Sequence, residues 1–293
     1  MRPFHMSLAL IFLAWSSHAS AQTFELPYTL SRPAGDGPFP AVVILHDCSG
    51  LGPRSSGAPW RWSSELTRRG YVTMWPDSFT TRGYPTGVCT EAARPRVTPV
   101  ERARDAYAAL RYLTSLPYVD AKRIAVMGGS HGGSSTLATI VDTPGSAGEG
   151  KFAAAVALYP GCGQSFGAWT VKRANGPSGP IIDYSGVFKP RAPLLILIGE
   201  LDDWTPAEPC RRLAAAAKAV GYPVELKVYP GAHHSFDSQA PLRFEPKRRN
   251  INSASGRGAT TGGNVEAWTD AIGQVESFLA RQLAAARPSQ ARP

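Results

Sequence analysis

Hydrophobic positions along the chain fall into short unbroken runs, separated by longer stretches in which apolar residues recur every third or fourth place. Pro40 to His46, Tyr71 to Asp77, Arg123 to Met127, Phe152 to Tyr159 and Ala192 to Gly199 are such runs. Segments this short that are apolar on both faces predict strands buried inside a parallel sheet. Val224 to Tyr229 alternates instead, which predicts a further strand, and Phe24 to Leu30 predicts one at an edge. Between the runs the period changes. Val100, Ala103, Tyr107, Leu110 and Leu113 make one apolar helical face, as do Val265, Trp268, Ile272, Val275 and Leu279 near the end. Further helices are expected over Trp60 to Arg69, Gly132 to Val141 and Ala207 to Val220. Strands alternating with helices predict an α/β fold, a mostly parallel central sheet with helices on both faces. The polar stretches Ser78 to Thr98 and Asp237 to Asn264 are expected as loops, and no internal repeat or composition break marks a second domain.

The first residues break this pattern. Met1-Arg2-Pro3 precedes the apolar run Leu8 to Trp15, and Ala19-Ser20-Ala21 follows. A basic start, an apolar middle and a small-residue site predict a signal peptide over residues 1–21, cleaved after Ala21. The mature protein, 22–293, is then expected outside the cytoplasm, in the periplasm or beyond, with no segment for stable membrane insertion. Loss of Arg2 lowers the formal charge from +9 to +8. The basic residues are dispersed, and the one dense cluster, Lys247-Arg248-Arg249, has no aromatic interleaving. It is expected as a solvated surface, and no nucleic-acid partner is expected.

Cys48, Cys89, Cys162 and Cys210 form an even set, which in an exported chain favours disulfides over metal binding. No C-x-x-C or H-E-x-x-H occurs, so no metal is expected. Proximity of the loops that carry them pairs Cys48 with Cys89 and Cys162 with Cys210, although four cysteines allow three connectivities.

The candidate chemistry begins where the run from Arg123 meets Gly128-Gly129-Ser130-His131-Gly132-Gly133. Gly-X-Ser-X-Gly between a strand and a helix predicts a nucleophile elbow, with Ser130 as the nucleophile. The dipole of the following helix favours negative charge forming beside it. Asp202 and Asp203 follow the strand at Ala192 to Gly199, and His233 and His234 follow the one at Val224 to Tyr229. In parallel sheets ligands bind beyond the carboxyl ends of the strands. A serine, an acid and a histidine at three such ends, in that chain order, predict a nucleophilic hydrolase. Spacing alone leaves two acids and two histidines open.

Five segments resemble the dienelactone hydrolase family of α/β-hydrolases: His46-Asp47-Cys48-Ser49-Gly50, Pro76-Asp77-Ser78-Phe79, the elbow, Gly199-X-X-Asp202-X-X-X-Pro206, and His234-Ser235-Phe236. The resemblance covers nearly all of residues 22–293 and implies a single α/β-hydrolase domain there. It selects Asp202 and His234 to complete a triad with Ser130, and implies an oxyanion hole from the backbone N–H groups of Cys48 and His131. It implies hydrolysis of a small ester or lactone through an acyl-enzyme, with no cofactor. Two departures stand out. The family enzyme uses cysteine where this chain has Ser130, and one of its two arginines is replaced by Ser238. Arg82 is the counterpart of the other and a candidate clamp for a substrate carboxylate. Asp237 would repel such an anion if it faced the site. Trp75 and Trp204 are expected to pack, and His46 to cap its loop. The competing functions are a peptidase of prolyl-oligopeptidase type, which expects a propeller domain of which the sequence gives no sign, and a noncatalytic binding protein on the same fold.

Overall fold

A computed structural model of the chain describes residues 24–91, 97–144, 148–176 and 179–284. The expected leader and its cleavage site lie outside the described residues. The apolar runs become the strands β2 (Phe39–Leu45), β3 (Val72–Pro76), β4 (Val119–Gly129), β5 (Ala154–Leu158) and β8 (Leu194–Gly199), joined by β1 (Tyr28–Ser31) and β9 (Val224–Tyr229). Together they form a seven-stranded sheet in the order β1-β3-β2-β4-β5-β8-β9. All neighbours from β3 to β9 run parallel, and β1 pairs antiparallel with β3, Tyr28 facing Pro76. Every residue of β5 and β8 is buried, which is why those segments read as continuous apolar runs. The half-exposed β1 begins four residues later than the pattern at Phe24 suggests, since an edge strand has little burial to set its register.

The helices α1 (Ala58–Arg68), α2 (Pro99–Thr114), α3 (His131–Ile140), α4 (Ala207–Ala219) and α5 (Val265–Gln282) cover both faces. Trp62 of α1 meets Trp268 of α5 edge to face, ring centroids 4.7 Å apart. On α2, the Tyr107 hydroxyl donates to the Thr139 carbonyl of α3 at 2.6 Å. Thr98 and Glu101 close a capping box at the start of α2, and Pro99 occupies its first turn. The Tyr107 bond ties α2 to the helix that follows Ser130.

Two hairpins were not expected. β6 (Thr170–Arg173) pairs with β7 (Ile181–Ser185), and β10 (Arg243–Arg249) pairs with β11 (Arg257–Thr261) inside the stretch expected as a loop from Asp237 to Asn264. Arg243 to Arg249 shows no apolar alternation and contains Pro246, features that argue against a strand. The strand forms because β10 has a single partner and most of its surface stays in solvent. Its fixing contacts come from elsewhere in the chain. The Asp203 carboxylate accepts from the Thr260 N–H and hydroxyl, both at 2.8 Å. Asn250, almost wholly buried, donates through Nδ2 to the carbonyls of Asp203 at 2.9 Å and Gly258 at 2.7 Å.

Candidate active site

At the end of β4 the backbone folds back on itself. Ser130 has φ 55° and ψ −116°, a conformation costly for any residue with a Cβ and held only where its surroundings over-determine it. Its N–H donates to the Leu158 carbonyl of β5 at 2.9 Å, and its carbonyl accepts from Ser134 N–H at 2.8 Å as α3 begins. Glycine is obligatory on both sides. A Cβ on Gly132 would lie 2.0 Å from the Leu45 carbonyl oxygen, and one on Gly128 2.6 Å from the Gly132 carbonyl group. The strained turn therefore lifts the serine side chain clear of the sheet.

Ser130 Oγ lies 2.9 Å from His234 Nε2, and His234 Nδ1 lies 2.8 Å from Asp202 Oδ2. All three residues are buried. Of the acids and histidines that spacing left open, this pair meets the serine, while Asp203 holds the β10–β11 hairpin. Asp202 is itself locked. Its Oδ1 accepts from the N–H groups of Trp204 at 3.0 Å and Thr205 at 2.8 Å, and the Thr205 hydroxyl lies 2.9 Å from Oδ2 and 3.0 Å from His234 Nδ1. Gly199 permits the approach of the two loops, since a Cβ there would meet the Ala232 carbonyl oxygen at 2.3 Å. The His234 carbonyl accepts from Gly262 N–H at 3.1 Å, so the second hairpin also braces the histidine.

Beside Ser130 opens a cavity of about 220 Å³ whose wall includes Cys48, His131, Trp204 and Thr205. Cys48 is bonded to Cys89 (S–S 2.05 Å) and Cys162 to Cys210 (2.07 Å), with Cys48, Cys89 and Cys162 in the wall. The loop that carries Cys48 is held on both sides: the Asp47 carboxylate accepts from Ser49 N–H at 2.7 Å and from the Ser56 hydroxyl, and the Cys48 carbonyl accepts from Val88 N–H at 2.7 Å. His46 caps this loop. Its Nε2 accepts from Ser78 N–H at 3.2 Å, so Nδ1 carries the proton given to the Asp47 carbonyl at 2.8 Å. Burial, assisted by the Arg102 charge, holds its pKa well below the usual histidine value. Burial and the same charge push His131 down to about 3, so both imidazoles are neutral at pH 7.

Several expectations are corrected here. Arg82 is no part of the cavity wall: a 3₁₀ turn over Thr80–Arg82 swings it toward α2, where it makes 2.7 Å hydrogen bonds to both Asp105 carboxylate oxygens. Asp237 does not face the cavity either. It is buried, accepts from Trp62 Nε1 and Tyr159 hydroxyl at 2.8 Å each, and burial raises its pKa. Trp75 packs against the core as expected, whereas Trp204 lies on the cavity wall with its ring centroid 4.7 Å from that of His234. The Lys247-Arg248-Arg249 cluster is not merely solvated, because Arg249 lines the cavity and the Arg248 guanidinium lies 5.5 Å from the Trp204 ring centroid. Sequence reasoning also missed Arg173 on the wall and Thr205 beside the acid. Only Thr205 had a local signal, an aspartate three residues ahead whose carboxylate closes a tight turn.

A mostly parallel sheet with helices on both faces, and a serine, an acid and a histidine following β4, β8 and β9, define an α/β-hydrolase. The model of the dienelactone hydrolase family matches residues 27–281, and the chain belongs to that family, as a carboxylic-ester hydrolase. A relative from Methylorubrum extorquens, named "Putative carboxymethylenebutenolidase", is 24% identical over 228 residues, 75% of this chain and 72% of its own. Among solved structures, a "Putative Dienelactone Hydrolase" from Klebsiella pneumoniae superposes with TM-score 0.59 at 20% identity, covering 87% of this chain and 93% of that one. Thermogutta terrifontis esterase 2 phosphorylated by paraoxon gives 0.57 at 20% identity, over 88% and 90%. At such identities the structural likeness speaks to the fold. Among the described residues, no helix is long and apolar enough to cross a membrane.

Proposed function

We propose that this protein is exported and hydrolyses small carboxylic esters or lactones through an acyl-enzyme on Ser130. The observation that carries the proposal is the unbroken hydrogen-bond chain from Asp202 through His234 to Ser130, at 2.8 and 2.9 Å. A serine hydroxyl is a poor nucleophile at neutral pH, so His234 Nε2 takes its proton as Oγ attacks the acyl carbon. Asp202, held by the N–H groups of Trp204 and Thr205, orients the ring and stabilises the imidazolium. The backbone N–H groups of Cys48 and His131 receive the oxyanion, each such donor being worth about 3 to 4 kcal/mol. His234 then protonates the departing alcohol, and water, deprotonated by the same nitrogen, releases the acid. The leader expected at 1–21 and the two disulfides support export, because such bonds persist in oxidising compartments.

The cavity wall supports a substrate class as well. Arg173 and Arg249 are on it, and no aspartate or glutamate among the described residues is. Among the described residues Arg173 donates to neutral acceptors, the carbonyls of Gly163 and Gly179 and Asn252 Oδ1, at 2.8 to 3.1 Å. An ester carrying an anionic group is the matching substrate, met by these side chains instead of Arg82. The test is active-site titration with an organophosphate, the class of reagent that phosphorylates the Thermogutta esterase. One equivalent should attach to the Ser130 peptide and abolish turnover of an ester and lactone panel. Stoichiometric attachment elsewhere with loss of activity would overturn the assignment.

A further inference from the structure

Arg102, near the start of α2, has none of its surface exposed. An unpaired buried cation is among the most costly groups a fold can carry. The helix position worsens matters, since the N-terminal turns of α2 present the positive end of its dipole. No carboxylate among the described residues pairs with it. Asp105, one turn further along the same helix, is held by Arg82. Nε and Nη2 of Arg102 meet no acceptor among the described residues, and the guanidinium carbon lies 5.0 Å from the Phe79 ring centroid. Among the described residues its hydrogen-bond partner on the neighbouring helix is His131, where Nη1 donates to Nδ1 at 3.0 Å. The carboxylates of Asp105, Asp47 and Asp77 act on its charge only through space, and that of Asp47 accepts from the Ser49 N–H and the hydroxyls of Ser49 and Ser56.

His131 follows the nucleophile directly. Because Arg102 has only protons to offer, Nδ1 must be the accepting nitrogen, and the neutral ring then carries its proton on Nε2. In the resting site Asp105, Asp47 and Asp77 favour the buried charge from a distance, but none of them pairs with it directly. An anion does form in the tetrahedral intermediate, next to the backbone N–H of His131. In a dry interior a fixed charge acts over a longer range than in water and needs no reorganisation when the anion appears.

We propose that Arg102 is a positioning residue for the oxyanion hole: it anchors the His131 ring, so that the peptide N–H behind Ser130 stays aimed, and its buried charge stabilises the oxyanion. This rests on the triad proposed above.

The test compares Arg102→Met, which removes donor and charge, Arg102→Gln, which keeps a donor without the charge, and Arg102→Lys, which keeps both. For each, kcat and KM for a chromogenic ester are measured together with the affinity of an alkylboronic acid, whose adduct with a serine is a tetrahedral anion. Arg102→Met should lower kcat about thirtyfold with KM within about threefold, boronic acid affinity falling in parallel, and Arg102→Lys should recover to within about fivefold of the parent. Arg102→Gln should fall between them. A folded Arg102→Met with parental kcat overturns the proposal. So does a loss of kcat without loss of boronic acid affinity, which a purely structural role would give. Should the neutral variants not fold, ring ¹⁵N shifts of the parent protein decide: a proton on Nδ1 of His131 refutes the anchor, and one on Nε2 supports it. The two levels fail separately. Hydrolysis surviving in Ser130→Ala defeats the triad, whereas a dead Ser130→Ala beside an unperturbed Arg102 series defeats this inference alone.

Discussion

The elbow and the β10–β11 hairpin stand at the same cavity but are built in opposite ways. Around Ser130 the code is local: two glycines within five residues that allow the close approach of the Leu45 carbonyl, a buried strand before and a helix after. The hairpin has almost no local code. It is held by Asp203 reaching Thr260 across 57 residues, Asn250 reaching Asp203 across 47, and Trp204 Nε1 donating to the Arg249 carbonyl across 45. Backbone sterics make the elbow rigid, whereas side-chain hydrogen bonds hold the hairpin, each worth about 1 kcal/mol and replaceable by water. A nucleophile requires the first kind of construction. A wall that selects substrates tolerates the second, and hairpins of this sort are where relatives diverge most freely.

The largest expected effect is at the elbow. Ser130→Ala and His234→Ala should each lower kcat on the order of a million-fold, with organophosphate labelling lost in the first. Activity close to the parent in either would remove the triad. Asp202→Asn, which leaves the packing intact but favours the wrong imidazole tautomer, should cost about ten-thousand-fold in kcat. Asp203→Ala probes the hairpin instead. It frees the Thr260 N–H and hydroxyl, and should lower kcat/KM about tenfold while raising amide hydrogen exchange across Arg257 to Thr261, consistent with the loss of two charge-assisted hydrogen bonds. If Asp203→Ala were as damaging as Asp202→Asn, the separation between rigid core and adaptable wall would be wrong. The smallest effect concerns charge. Arg249→Ala should reduce the kcat/KM ratio of an anionic to a matched neutral ester only a few-fold, since a partly solvated ion pair contributes about 0 to 1 kcal/mol. Arg82→Ala should leave that ratio unchanged and lower the melting temperature, because it abandons Asp105.

Comparison of Arg82 with Arg249 shows where sequence reasoning stops. Arg82 sits at the right distance along the chain from a strand end, yet a single 3₁₀ turn gives it to Asp105. Arg249 lies in a run without pattern and reaches the cavity wall because its strand is docked onto the acid-bearing loop. Position after a strand specifies a region of space. Which way a long side chain points within that region depends on the nearest carboxylate, and that carboxylate comes from another element.

The buried strands, the helical stripes and the order of serine, acid and histidine follow from sequence alone, because burial on both faces, helical periodicity and the steric demands of a tight turn act between residues close along the chain. Asp202 and His234 follow once the resemblance to a family is added. The tertiary structure alone decided that Arg82 is occupied, that Asp237 is buried against Tyr159, that two hairpins wall the cavity and that a buried cation is hydrogen-bonded to His131. Each of these turns on which polar groups meet across tens of residues, and a hydrogen bond leaves no periodic trace in the sequence.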